Sequence, residues 1–312
     1  MSLEPNNSAS DGHITIALSA YNCEVTIEKA VRSIMEQSYS NFDLYIVDDA
    51  STDRTAEIIM KILPEDERLH LIHLEKNSGT YSAKNLVIRD YCHGEFYAHQ
   101  DGDDFSWKNR LKKQVELLRS HPQVVACGTG IDEFSEEENL SAVIRSDFPT
   151  VYDEVDRYYH RKNLYPMFID PISVVRSYME SAEWVKIAMN GSILFRTQII
   201  KQLGGFDGRT RISGDLDLLF RMLLLYDFAN LQEVLYSRKY HAKSLTKSET
   251  LGHGTPHRTE YRNKIRDRLR AVWPLFESGE TDKLIDRLKE DMHVAHSPNK
   301  LYHGAKPFQP RS

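Results

Sequence analysis

Apolar and polar positions along the first 130 residues alternate between two periods. Ile14 to Tyr21, Leu44 to Val47, Leu69 to Leu74, Glu95 to His99 and Val124 to Gly128 are short apolar or β-branched runs, and each reads as a strand. Between them, Glu24 to Gln37 places Val25, Ile27, Ala30, Val31, Ile34 and Met35 at helical spacing. The spacing predicts further helices from a cap at Ser51 or Thr52 to about Leu63, from Thr80 to Tyr91, and from Trp107 to Ser120. Strands alternating with helices of about a dozen residues predict a mostly parallel sheet flanked by helices, joined by right-handed crossovers.

The second half is less regular. Glu133 to Tyr165 is polar and aromatic, with no clean period. A strand is expected within Trp184 to Phe195, a short helix over Thr197 to Leu203, and an apolar helix over Gly214 to Tyr226. Arg258 to Trp273 carries Tyr261, Ile265, Leu269 and Val272 on one face, and Thr281 to Met292 reads as another amphipathic helix. From Ser297 the chain is short of core-forming residues and is expected to drape loosely. The expected organisation is an N-terminus over 1–12, a first half over 13–130, a second half over 131–247, a helical extension over 248–296 and a tail over 297–312.

Bulk properties narrow the class. Hydrophobic residues make up 40% of the chain, enough for a core that needs no structural metal or disulfide. Cys23, Cys92 and Cys127 are far apart with no CxxC spacing, which predicts reduced thiols and a cytoplasmic location. No apolar run approaches a membrane span. The net charge of -6 argues against a nucleic-acid partner for the whole chain. Within it, Tyr236 to Arg270 holds ten Lys or Arg against three acidic residues. That segment suits an anionic acceptor or peripheral contact with the inner face of the cell membrane, or is a solvated helix face.

The candidate chemistry lies where the predicted strands end. In open parallel sheets, ligands bind beyond the carboxyl ends of the strands. Tyr21-Asn22, Asp48-Asp49, Asn77-Ser-Gly79 and Asp101-Gly-Asp-Asp104 each follow one strand, so four loops converge on one edge. Two like charges about 4 Å apart repel by about 4 kcal/mol near a protein surface, so three carboxylates in four residues suggest a bound cation. Hard divalent ions such as Mg2+ or Mn2+ take oxygen ligands and bridge carboxylates to phosphates. A solvated acidic turn is the bland alternative.

Taken in order, several segments resemble family 2 glycosyltransferases of the GT-A fold. They are Ala20-Tyr21-Asn22, Val47 to Asp53, Asn77-Ser-Gly79 with Ala83-Lys-Asn85, Asp101 to Asp104, Gly204 to Asp207, Gly214 to Asp217 with Arg221, and His241 with Ser244 to Thr246. The resemblance covers roughly residues 13–247 and implies a GT-A-type, Rossmann-like α/β fold with a C-terminal helical extension. It implies inverting transfer of a sugar from a nucleotide-sugar, in particular a UDP-sugar, to an acceptor hydroxyl. The acceptor would be a saccharide or lipid-linked glycan in cell-surface or extracellular polysaccharide synthesis.

The same resemblance implies roles for individual residues. Asp49 would accept a hydrogen bond from uracil, with Tyr21 and Asn77 beside the nucleotide. Asp101 would lie near the ribose and Asp103 would ligate Mn2+ or Mg2+. Lys84 would face the nucleotide edge, His241 would sit near the diphosphate or metal, and Asp215 would be the general base. Competing readings stand beside these. Asp48 and Asp49 could cap the next helix, Asp104 could be a helix cap, and Lys84 could be a solvated surface lysine. His241 could be structural, and Asp217 shares the first helical turn with Asp215 as a rival base. Gly214 also stands where the family commonly has Glu. A nucleotidyltransferase or a non-catalytic glycan- or nucleotide-binding relative is the alternative function. The loop Ser19 to Glu24 lacks glycine, which counts against the former, and the absent GxGxxG excludes a nicotinamide-linked dehydrogenase.

Overall fold

A computed structural model describes residues 12–135, 152–155, 158–165, 167–181, 187–239, 244–245, 248–289, 292–294 and 298–304. The strands in chain order are β1 (Ile14–Ala20), β2 (Phe42–Asp48), β3 (Leu69–Leu74), β4 (Phe96–Asp101), β5 (Phe105–Ser106) and β6 (Val124–Ser135). They continue with β7 (Tyr152–Val155), β8 (Tyr158–Asn163), β9 (Leu194–Arg196), β10 (Asp227–Lys239) and β11 (Pro298–His303). The helices are α1 (Ile27–Met35), α2 (Thr55–Ile62), α3 (Thr80–Asp90), α4 (Arg110–Ser120) and α5 (Pro171–Ser181). After them come α6 (Thr197–Gln202), α7 (Gly214–Leu223), α8 (Pro256–Glu277) and α9 (Thr281–Leu288).

One sheet runs in the order β11-β3-β2-β1-β4-β9-β6-β10-β5, with β8 added to β6 and β7 to β8. β3, β2, β1 and β4 are parallel, and β9 runs antiparallel to both β4 and β6. β6 and β10 are parallel to each other. The carboxyl ends of β1, β2, β3, β4 and β10 therefore share one edge. The expected α/β class holds, and the sheet extends well beyond the six predicted strands.

The central strands are near-continuously apolar because both faces are covered. In β1, Ile14, Ile16, Leu18 and Ala20 pack with Ile27, Ala30, Val31 and Ile34 of α1 on one side. Ala17 joins Ala83, Leu86 and Val87 of α3 in the cluster on the other side. Ile265, Leu269 and Val272 of α8 are buried in that second cluster, so the apolar face of this helix is core. Among the described residues, no helix is long and apolar enough to cross a membrane.

Four expectations need correction. Ser51 and Thr52 do not cap α2. Asp53 accepts from the Thr55 amide at 3.0 Å, while Ser51 Oγ accepts from the Asn22 amide and so ties two loops together. The expected strand before Phe195 begins only at Leu194, because Asn190–Ser192 forms a 3-10 turn. Residues 182–186 of that segment lie outside the described residues. The tail is not wholly draped, since β11 pairs antiparallel with β3 at the sheet edge. β10 was not anticipated at all. Its register against β6 shifts between Asp227 and Phe228, between Leu231 and Val234 and again before Tyr236, which breaks the alternation that marks a strand.

α7 is fixed in place by a buried ion triad. Asp217 accepts from Arg221 Nε at 2.8 Å and from Arg268 Nη1 of α8 at 2.9 Å. Arg221 also donates to the carbonyls of Leu203 and Gly205 at 2.6 and 2.7 Å, which closes the end of α6 against α7. Removing one partner of a buried pair strands the other charges. Asp217→Ala should therefore cost about 3–5 kcal/mol of unfolding free energy in a urea titration. Asp215→Ala, one half-turn away and partly exposed, should cost no more than about 1 kcal/mol.

Candidate active site

The loops at the shared sheet edge enclose a cleft of about 710 Å3. Tyr21 and Asn22 follow β1, Asp49 follows β2, Asn77 and Gly79 follow β3, and Asp101 to Asp104 end β4, all lining the cleft. Arg238 and Lys239 at the end of β10, Arg211 before α7, and Ser244 and Leu245 complete the wall. Five of the expected site residues, Tyr21, Asp49, Asn77, Asp101 and Asp103, thus come together in one place. Asp215 and Lys84 do not line it. His241 lies outside the described residues.

Asp49 builds the rim at which α3 begins. Its two oxygens accept from the Ser78 and Gly79 amides at 2.7 and 2.8 Å. Gly79 takes φ +88°, a conformation that strains any side chain with a Cβ. Burial pushes the Asp49 carboxyl up, while the two amides and the nearby Arg211 pull the other way. Each oxygen retains a lone pair for a ligand N–H. Asp48 is buried below, accepting from the Ser51 amide at 3.2 Å and meeting His73 Nδ1 at 2.6 Å. Neither aspartate caps α2.

The acidic segment is divided by its partners. Asp101 Oδ1 accepts from Lys84 Nζ at 2.8 Å and from Ser19 Oγ at 3.1 Å. Lys84 is only 1% exposed, so it neither faces the nucleotide edge nor sits on the surface as a solvated lysine. Burial raises the Asp101 carboxyl, but the ammonium of Lys84 more than offsets it and holds the group below its usual range. Asp104 is not a helix cap. It is buried, accepting from the Tyr236 hydroxyl at 2.8 Å and the Lys239 amide at 3.1 Å. Burial, and then Asp103 and Asp101, push Asp104 well above the ordinary carboxyl range. Asp103 lines the cleft beside Asp101. Gly102 between them is required by the protein itself, because a Cβ there would sit 2.9 Å from Cys23 Sγ and 3.2 Å from the Ser19 carbonyl.

Asp215 stands behind the cleft wall in the first turn of α7, partly exposed, and accepts from the Tyr81 hydroxyl at 2.8 Å. Tyr81 follows Thr80, which lines the cleft and shares a 2.8 Å hydrogen bond with Ser19. Asp217 points away into its ion triad. The basic segment is largely committed to structure, with Arg258 on the Leu251 carbonyl, Arg268 on Asp217, Arg270 on the Met179 carbonyl and Lys264 on Glu260. Sequence reasoning missed Arg211 and Arg238 as cleft residues. A basic residue four positions before a candidate base was visible for Arg211, whereas Arg238 sits on the strand whose bulges hid it.

Among the described residues, no group of three or more His, Cys, Asp or Glu is arranged to hold a metal ion. The donor set still suits Mg2+ or Mn2+, which bind through one or two carboxylates and complete their shell with water and substrate phosphates. Asp103 with Asp101 offers such a set.

The residue that lines the cleft with the most displaced thiol is Cys23. Burial, and then the charge of Asp103, push it up to about 12. Because the thiolate is the nucleophile, Cys23 should alkylate roughly 10³-fold more slowly than an ordinary exposed cysteine at pH 8. The rate should climb only as pH approaches 12, read by mass spectrometry of iodoacetamide adducts.

Comparison with known proteins places this geometry. The model of a family described as "Glycosyl transferase family 2" matches residues 15–182, more than half of the chain. EpsE of Bacillus subtilis (strain 168), described as a glycosyltransferase, is 36% identical over 124 residues, covering 39% of this chain and 44% of EpsE. WfgD of Escherichia coli is a "UDP-Glc:alpha-D-GlcNAc-diphosphoundecaprenol beta-1,3-glucosyltransferase". It is 31% identical over 105 residues, covering 34% of this chain and 40% of WfgD. The chain thus spans less than half the length of these relatives. In fold, it resembles S. aureus TarS 1-349 in complex with UDP-GlcNAc, with TM-score 0.62 and 18% identity over 88% of this chain and 71% of TarS. It also resembles the mannosyltransferase PcManGT of Pyrobaculum calidifontis in complex with GDP-Man and Mn2+, with TM-score 0.51 and 18% identity over 91% and 76%.

Proposed function

The chain belongs to glycosyl transferase family 2, and from that premise we propose that it moves a sugar from a UDP-sugar to an acceptor hydroxyl with inversion at the anomeric carbon. The observation that carries this reading is the shared cleft, which joins a base-accepting carboxylate, Asp49, to a charge-bearing one, Asp103. The UDP-sugar complexes and substrates named for relatives support the donor class. The lipid-linked diphosphate acceptor named for WfgD supports an acceptor of that kind in polysaccharide assembly. Neither a nucleotidyltransferase nor a binding-only relative is favoured by any feature of the cleft.

In this reading Asp49 accepts from the base, and Tyr21 and Asn77 flank it. Asp101, held by Lys84 and Ser19, presents its second oxygen toward the ribose. Asp103, with Asp101 beside it, would hold Mg2+ or Mn2+, whose charge when bound offsets that of the departing diphosphate. Arg238 and Lys239, next to the acidic segment, add positive charge along the same path. Asp215 takes the proton from the acceptor hydroxyl as its oxygen attacks the anomeric carbon, a role worth ~10²- to 10⁴-fold in rate. Its rival Asp217 is consumed by Arg221 and Arg268. Arg258, Arg268 and Arg270 of α8 are committed to contacts within the chain.

Two measurements test this. A thermal-shift screen of nucleotides with and without Mn2+ should give its largest rise with a UDP-sugar, and Asp103→Asn should abolish the Mn2+-dependent part. Inert responses to every nucleotide would remove the donor assignment. Asp215→Asn should keep UDP affinity within about twofold of wild type yet lose at least ~10²-fold in transfer rate. Transfer at the wild-type rate would move the base elsewhere.

A further inference from the structure

Burial of Lys84 leaves the base-binding rim in need of another cation, and the structure supplies one from a distant part of the chain. Arg211, in the loop that leads into α7, lines the cleft and is itself exposed. Its Nη2 donates to the Asn77 carbonyl at 3.2 Å. Its Cγ lies 3.5 Å from where a Cβ on Gly79 would be, so the side chain rests along the loop whose amides hold Asp49. Asp49 and Arg211 therefore stand side by side on one wall, one group that only accepts hydrogen bonds and one that only donates them. The contact with Asn77 occupies one of the five guanidinium N–H groups.

We propose that Arg211 reads the base together with Asp49 and so sets the nucleotide preference of the site. The proposal rests on the nucleotide-sugar reading given above and deepens it. Uracil presents one ring N–H between two carbonyl oxygens. Asp49 alone matches the N–H, and a carboxylate would serve many bases equally. Adding a donor beside it matches the neighbouring carbonyl as well, giving a two-point contact to the pyrimidine edge. Cytosine replaces that N–H with an acceptor and one carbonyl with an amino group, so it meets a carboxylate and a guanidinium with the wrong polarity. A rim built to hydrogen-bond one edge leaves buried polar groups unpaired when the edge changes, which is how such sites discriminate. Because Arg211 lies four residues before Asp215, filling the base site also fixes the loop that leads into the helix carrying the proposed general base.

The test is isothermal titration of UDP, CDP and uridine into wild type, Arg211→Ala and Arg211→Lys. Arg211 is exposed, so both variants should fold, and their melting curves in the absence of ligand check this directly. A charge-assisted hydrogen bond predicts that Arg211→Ala weakens UDP and uridine alike by about 10- to 100-fold and shrinks the preference for UDP over CDP. Arg211→Lys should recover only part of the loss, because a lysine keeps the charge but not the planar fork. Unchanged UDP affinity in Arg211→Ala overturns the inference. So does a loss confined to UDP with uridine unaffected, which would place Arg211 on the phosphates, and so does full recovery by lysine. If wild type binds neither UDP nor uridine, the nucleotide-sugar reading itself fails, and the inference falls with it.

Discussion

The ion pair between the buried Lys84 and the part-exposed Asp101 is the interaction on which the acidic segment depends. Three carboxylates in four residues would repel by several kcal/mol if all were ionised and unpartnered. The fold removes most of that repulsion without removing the acids. Asp101 is matched by the ammonium of Lys84, at 2.8 Å. Asp104 is buried among the Tyr236 hydroxyl and the Lys239 amide, and its carboxyl is shifted toward the neutral form. Asp101 and Asp103 both line the cleft. A lysine in the middle of a helix, reaching the end of the neighbouring strand, thus lets the cleft gather several carboxylates.

The remaining architecture serves to bring distant segments to that point. The parallel strands β1 to β4 deliver four loops to one edge. β10 runs parallel to them beyond β9 and β6, and adds Arg238 and Lys239 to the cleft lining beside Asp104. α7 is pinned by the Asp217, Arg221 and Arg268 triad, which holds the loop with Arg211 and the turn with Asp215 against α3. Asp101 and Asp215 are therefore linked through Ser19, Thr80 and Tyr81 by a short run of hydrogen bonds and one peptide link.

Much of the donor side was legible in the sequence, and the reason is physical. Strands buried on both faces read as unbroken apolar runs, so β1 to β4 and the polar residues just past their ends stand out. Asp49, Asp101 and Asp103 were found this way. Lys84 was misjudged because a lysine is almost never fully buried unless paired, and its partner Asp101 lies on another element, 17 positions along. β10 was missed because its bulges break the period-2 pattern, and with it went Arg238. β11 was missed because its residues look like a polar tail, and only pairing with β3 gives them structure. Arg211 reaches the cleft from more than 130 residues beyond Asn77, and no local pattern signals such a meeting.

The most direct test is a crystal structure of the chain grown with UDP and Mn2+. The uracil ring should lie against Asp49 and the ion should be ligated by Asp103 and the diphosphate, all within the one cleft. A nucleotide bound elsewhere, or an ion that ignores Asp103, would contradict the account.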